Sequence, residues 1–380
     1  MKIGVDIRVL MDEHYSGVSL YTANLLTAIL AQDIENKYKL FYNSWDNLDK
    51  RLGEWNQENA IVVGSHIPNK IFNYLCHKFF GLPKIDKLLG GADLFWSPHF
   101  NFTSLSAKTK KVITVHDLSF LRYPEFFSVR KNLWHRALRI KKILHSSEKI
   151  VAVSENTKND IIELIGIAPE KIQVIYSGNN AIKREVDATL AKEFLAKHDI
   201  TGRSILYLGT IEPRKNISGL ISAYNNLRSK NKSLADVKLV LAGANGWKNK
   251  KIYREWKESP FKQDIIFLGY ISQIEKDILY SKASVFAYPS FYEGFGFPPL
   301  EAMTYGVPVI CSNASSLPEV VGGAAIMINP DKSSEISEAL ELVLSSDALR
   351  QKLIAKGYER AHNFTWDMAA KEYLALFKEL

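Results

Sequence analysis

The chain has 380 residues, 46% apolar and 24% charged, with 49 Lys/Arg against 41 Asp/Glu and a net charge of +8. That length suits about two domains, each able to bury its own core, and the composition is that of a globular protein rather than a disordered or fibrous one. Two cysteines, Cys76 and Cys311, are too few for a disulfide framework and have neither zinc-site neighbours nor a CxxC spacing, so both read as small core residues in a reducing cytosol.

The start, MKIGVDIRVL, reads as a strand and not as a signal peptide. No run reaches the roughly 18 apolar residues of a spanning helix. In chain order the first half alternates strands at 2–10, 39–42, 60–63, 93–97, 111–115, 149–154 and 171–176 with helices near 18–32, 130–145 and 155–165. Such alternation predicts a mostly parallel, doubly wound α/β sheet. After the first strand the dinucleotide fingerprint GxGxxG is missing, and Gly17 stands alone at a helix start. It is either a simple turn or a source of backbone donors for a phosphate or hydroxyl.

ITVHDLSF places His116 and Asp117 just past a strand, at the carboxyl edge where open α/β sheets bind ligands. A histidine there can hydrogen-bond a substrate hydroxyl while the adjacent carboxylate fixes its tautomer, although the pair could equally be structural. Residues 130–142 (RKNLWHRALRIKK) carry six Lys/Arg among Leu133, Trp134, Ala137, Leu138 and Ile140. The pattern is a basic amphipathic helix suited to anionic lipid headgroups, or simply a helix with a charged outer face. No nucleic-acid-binding motif accompanies the charge.

The polar stretch 177–184 reads as a linker, giving domains at 1–180 and 181–365, with a terminal helix at 366–380 free to fold back on the first domain. The second half repeats the alternation, with strands at 204–208, 238–242, 264–268, 283–288, 307–311 and 325–328 and helices near 216–230, 273–281, 298–305, 333–345 and 348–360. In YLGTIEPRKN (207–216) a strand ends at Gly209, and Arg214 and Lys215 precede a helix. Two cations beside a helix N-terminus attract a diphosphate. A solvated basic pair is the alternative.

EGFGFPPLE (293–301) sets two carboxylates, Glu293 and Glu301, eight positions apart across a Gly/Phe turn and a helix start marked by Pro298 and Pro299. Gly294 and Gly296 let backbone N–H groups approach a ligand, and carboxylates beside such a site accept hydrogen bonds from sugar hydroxyls. Taken alone, the pair could be two surface glutamates around a turn.

Gly17 with its helix, HD at 116–117, GTIEPRKN at 209–216 and the E-x7-E of 293–301 follow one another in an order that resembles the retaining group 1 glycosyltransferases of family four. VSENTKNDI (153–161), 288–310 and SLPEV (316–320) carry the likeness too. The resemblance implies a GT-B fold, two Rossmann-like domains facing across a cleft. The first would bind the acceptor and the second the nucleotide-sugar. It implies transfer of a hexose with retained anomeric configuration and without a metal, and the sequence shows no DxD motif. Residue by residue, Arg214 and Lys215 match the pair that neutralises the leaving diphosphate, and Glu301 the carboxylate that accepts from the ribose hydroxyls. Glu293 matches the carboxylate near the donor sugar. The backbone of Gly294, Phe295, Gly296 and Phe297, with Gly209, would cradle sugar and phosphate. His116 matches the residue beside the transferred sugar, and Gly17 the loop that closes over phosphates and acceptor. Here that loop has one glycine where many relatives have two, and Arg214 and Lys215 are adjacent where relatives separate them.

A nucleotide-sugar 2-epimerase and a catalytically inactive partner subunit are alternatives. The first needs paired acid/base carboxylates around the sugar C2, and the second needs none of His116, Arg214, Lys215, Glu293 and Glu301. The motif set resembles bacterial mannosyl- and rhamnosyltransferases of cell-surface polysaccharide assembly, which points to GDP-mannose as donor. A glycan or lipid-linked acceptor and a cytoplasmic location with peripheral contact to the anionic inner membrane face complete the expectation.

Overall fold

Among the described residues, short apolar runs bounded by glycine, proline and polar turns form thirteen strands, divided seven and six between two sheets. The structure, a computed structural model, describes residues 1–11, 17–46, 48, 52–78 and 82–380, with the side chains of 76–78 excepted. The expected core place of Cys76 lies outside the described side chains, and Cys311 is buried.

The first unit comprises Met1–Leu118, Arg130–Gly178 and Phe364–Leu380. Its strands are β1 (Lys2–Asp6), β2 (Lys37–Asn43), β3 (Ala60–Ser65), β4 (Leu94–Ser97), β5 (Lys110–Val115), β6 (Lys149–Ala152) and β7 (Ile172–Val174), in the order β3-β2-β1-β4-β5-β6-β7. All pair in parallel, and the order reverses between β1 and β4. The first strand stops earlier than the sequence predicts. The Asp6 carboxylate accepts from the backbone N–H, Nε and a terminal nitrogen of Arg8, which turns the chain into the short 3-10 segment Arg8–Met11.

Four helices of this half bear on the site: α1 (Gly17–Gln32), α2 (Val129–Ala137), α3 (Ile140–His145) and α4 (Glu155–Asp160). The predicted single basic helix over 130–145 is two helices. Arg139 sits between them in the left-handed region at φ 51°, which lets Leu138 and Ile140 both reach the core. The helix predicted over 155–165 ends in a wider π turn, Ile161–Ile165, closed by Gly166.

The second unit comprises Ser119–Val129 and Asn179–Asn363. Its strands β8 (Ser204–Leu208), β9 (Lys238–Ala242), β10 (Ile265–Gly269), β11 (Val285–Tyr288), β12 (Val309–Ser312) and β13 (Ala325–Ile328) run in the order β10-β9-β8-β11-β12-β13, all in parallel. The order reverses between β8 and β11. Helices α5 (Ile217–Lys230), α6 (Gln273–Lys282) and α7 (Phe297–Thr304) follow β8, β10 and β11. One boundary corrects the sequence reading: residues 119–129 group with this unit instead of the first. Aromatic stacking holds them there, Phe126 on Phe291 and Phe127 on Trp247, each pair at 5.7 Å between centroids, while the Trp247 indole donates to the Phe126 carbonyl.

Candidate functional site

The switch point between β8 and β11 is where an open α/β sheet offers a crevice to a ligand, and the loops after those two strands carry the charged residues. Three strand ends meet tightly there. A Cβ on Gly243 would lie 2.0 Å from the Gly209 carbonyl oxygen, so only glycine fits. The backbone N–H of Gly209 donates to Ala242, and that of Gly243 to Gly269. Beyond Gly209 the chain makes the 3-10 turn Pro213–Lys215. Asn216, at φ 54°, caps α5 by accepting from Gly219, and its own amide donates to the Pro330 carbonyl.

This turn aims Arg214 and Lys215 at the loop after β11. Lys215 Nζ donates to Glu293 Oε1 at 2.6 Å and to the Tyr288 hydroxyl at 2.7 Å, and lies 5.1 Å from the Tyr288 ring centre. Arg214 donates to the Tyr292 carbonyl at 2.5 Å and to Glu293 Oε2 at 3.1 Å. On its other side it pairs with Glu212 Oε1 at 2.9 Å, and Glu212 Oε2 is buried with no hydrogen-bond partner. The backbone carbonyl of Arg214 accepts from Phe291, joining the two loops. Two cations and two carboxylates therefore share one buried cluster with no net formal charge.

Burial pushes the Glu293 carboxyl up, but the Lys215 and Arg214 charges outweigh it and hold the group at about 2. Burial and the Arg214 charge in turn hold the Lys215 ammonium below its usual range. Glu293 stays charged at neutral pH. Glu293 is fixed through its backbone as well: its N–H donates to Ser315, and the Ser316 hydroxyl bonds the carbonyls of Glu293 and Phe295.

Gly296, at φ 110°, opens α7, and a side chain there would meet Leu317 at 2.7 Å. Pro298 and Pro299 occupy the first turn, where their missing N–H groups cost nothing. The Phe295 side chain is buried against Phe297. Glu301 is buried one turn further on, and its Oε2 takes Lys276 Nζ at 2.7 Å and the Tyr280 hydroxyl at 3.0 Å, both from α6. Arg214, Lys215 and Glu293 thus form one cluster, with Glu301 on the adjoining helix. Glu212, Tyr288 and Lys276 were not singled out from the sequence. Glu212 and Tyr288 lie inside quoted motifs, whereas nothing in a helix-forming stretch marks Lys276.

Gly17 and His116 belong to the first unit. His116 follows β5, and its Nε2 donates to the Pro98 carbonyl at 2.8 Å, which leaves Nδ1 as the lone-pair nitrogen. That carbonyl sets the tautomer, where the sequence pointed to the adjacent Asp117. Burial keeps the imidazole below its usual range against the opposing Pro98 contact and Asp117 charge, so the ring is neutral at pH 7. Tyr21 of α1 meets it edge-on at 4.6 Å, and Thr157 of α4, held by Ser154, donates to its backbone carbonyl. The motif at 153–161 therefore supports the histidine loop. Its neighbour His99, after the switch strand β4, is pushed to about 4 by burial, and its Nδ1 has no partner. At Gly17 a Cβ would meet no atom of the described residues within 4 Å. Residues 14–16 of the same loop lie outside the described residues.

Comparison with known proteins agrees with this geometry. Residues 192–360 match the family described as glycosyl transferases group 1, and residues 15–181 match glycosyltransferase family 4. The O-antigen chain mannosyltransferase B of Escherichia coli is 33% identical over 274 residues, 71% of each chain. The chain belongs to the group 1 glycosyltransferases of family four. The match to the serotype-specific mannosyltransferase WbdA of Escherichia coli, 29% identical, covers 68% of this glycosyltransferase but 32% of that longer protein. HepE from Anabaena, solved with UDP and glucose, superposes with a TM-score of 0.74 over 100% of this chain and 99% of that one, at 18% identity. The two parallel Rossmann-like sheets of this glycosyltransferase are those of the GT-B fold. No helix among the described residues is long and apolar enough to cross a membrane.

Proposed function

We propose that this glycosyltransferase moves mannose from GDP-mannose to a glycan or lipid-linked acceptor in cell-surface polysaccharide assembly, with retention and without a metal ion. The observation that carries the reading is the Arg214–Lys215 pair, half-buried and buried respectively, delivered to a topological switch point and held on Glu293. Negative charge grows on the leaving diphosphate in the transition state, and preorganised donors stabilise it without reorganisation. Lys215 has three N–H donors and spends two on Glu293 and Tyr288, which leaves one for a phosphoryl oxygen. The pair supplies the positive charge that a divalent ion supplies elsewhere. The 294–297 backbone cradles the sugar and phosphate, and Glu301 takes the ribose hydroxyls. In the first unit, neutral His116 offers Nδ1 as a hydrogen-bond acceptor suited to a sugar hydroxyl. The mannosyltransferase names of the similar proteins support the donor.

The deciding experiment is a thermal-shift panel with GDP, UDP, dTDP and ADP in EDTA. A nucleotide at 100 times its Kd adds about 2.7 kcal/mol of stability. A shift with GDP alone, abolished by Arg214→Ala, is expected. No shift with any nucleotide would overturn the donor site, and a shift with UDP alone would overturn the choice of base.

Membrane contact belongs to the same proposal. Leu133 and Trp134 of α2 are 58% and 48% exposed among basic residues, so the protein is expected to sediment with anionic liposomes at low salt and stay in solution with neutral ones.

A further inference from the structure

Resting on the nucleotide-sugar reading above, we infer that Lys276 is a specificity-determining residue: it fixes the Glu301 carboxylate in the one orientation that recognises a ribose with both hydroxyls. Three observations converge on it. Glu301 is buried on α7, and its Oε2 receives two donors, Lys276 Nζ at 2.7 Å and the Tyr280 hydroxyl at 3.0 Å. Among the described residues no hydrogen bond uses Oε1, which leaves that oxygen for a ligand. The neighbouring carboxylate cannot substitute as the partner of Lys276. Asp277 is engaged by Arg184, Gln273 and the Tyr305 hydroxyl.

The chemistry follows from the donors. A carboxylate oxygen facing a vicinal diol accepts from both hydroxyls only if it cannot rotate away, and the ammonium supplies the charge-assisted bond that prevents rotation. Lys276 also lies 5.9 Å from the Tyr280 ring centre, and Tyr280 stacks on Tyr305, so the anchor of the carboxylate is packed on aromatic groups. Its side chain is partly exposed. Without the ammonium, a buried carboxylate keeps a single hydroxyl donor and loses its fixed orientation.

The test compares the binding of GDP, UDP, their 2′,3′-dideoxy counterparts and inorganic pyrophosphate to the full chain by calorimetry. The unaltered protein is expected to prefer the ribose form of its nucleotide by about tenfold or more, the scale of hydrogen bonds to a charged group. In Lys276→Met that preference collapses toward unity while pyrophosphate binds as before, and Lys276→Arg, which keeps a cationic donor, restores it. If Lys276→Met fails to fold, the Arg variant and Lys276→Gln carry the same comparison. An unchanged ribose preference in the Met or Gln variant overturns the inference and leaves the donor site standing. Failure of the unaltered protein to bind either ribonucleotide overturns the nucleotide-sugar reading, and this inference with it.

Discussion

Glu293 is the most constrained side chain of the cluster, because each of its oxygens holds a different cation. Removing one member of a buried ion pair leaves an uncompensated charge, which costs about 3–5 kcal/mol. Lys215→Ala is therefore expected to lower stability as well as turnover, and the turnover loss should reach about 10²-fold, the scale of one lost oxyanion donor. Single-turnover rates on protein shown to be folded separate the two effects, and unchanged turnover would remove Lys215 from the mechanism. The pH dependence follows from Glu293. Its value falls from 4.5 in the unfolded chain to about 2 in the fold, so its stabilising contribution is complete above pH 4.5 and drains away as pH falls toward 2. In Glu293→Gln the urea midpoint should change less between pH 5 and pH 3 than in the unaltered protein. An equal change in both would mean that Glu293 does not carry the acid sensitivity.

At the scale of elements, two glycines behave oppositely. Gly243 is at φ 145°, and the space a Cβ needs is occupied by the Gly209 carbonyl. Gly243→Ala must push the ends of β8 and β9 apart, at an expected cost above about 3 kcal/mol, read as a fall in the urea midpoint. Gly17 opens α1 with nothing in the way among the described residues, so Gly17→Ala should change stability by less than about 1 kcal/mol. A loss of activity in that variant would then report on ligand approach and not on folding. The elements themselves were largely legible, since β-branched runs and helical spacing are local. Their ends were less so. β1 ends at Asp6 because a carboxylate captures the Arg8 backbone and guanidinium, and the basic helix breaks at Arg139 because both flanking apolar residues need the core.

At the scale of the whole molecule, segments distant in sequence complete each unit. The C-terminal helix Trp366–Lys378 lies in the first unit, where the Tyr373 hydroxyl bonds Thr114 at 2.6 Å and Tyr21 at 2.8 Å, and its ring packs on Trp96. Tyr373→Phe takes one partner from each hydroxyl, Thr114 keeping the Trp96 indole donor, and should cost about 1–3 kcal/mol in that unit's unfolding transition. A midpoint shift under half of that would show that water replaces the phenol. Residues 119–129 leave the first unit for the second because Phe126 and Phe127 find aromatic partners there.

The doubly wound α/β class, the family, and the order in which glycines, cations and carboxylates arrive at strand ends are legible along the chain, because spacing within a few residues carries them. Which charges meet is a property of the folded state. Glu293 reaches Lys215 and Arg214 across 78 and 79 positions, Glu301 meets Lys276 from another helix, and a carbonyl at Pro98 sets the His116 tautomer. Strand order brings these groups together, and no local pattern in the chain encodes which loops a parallel sheet will place side by side.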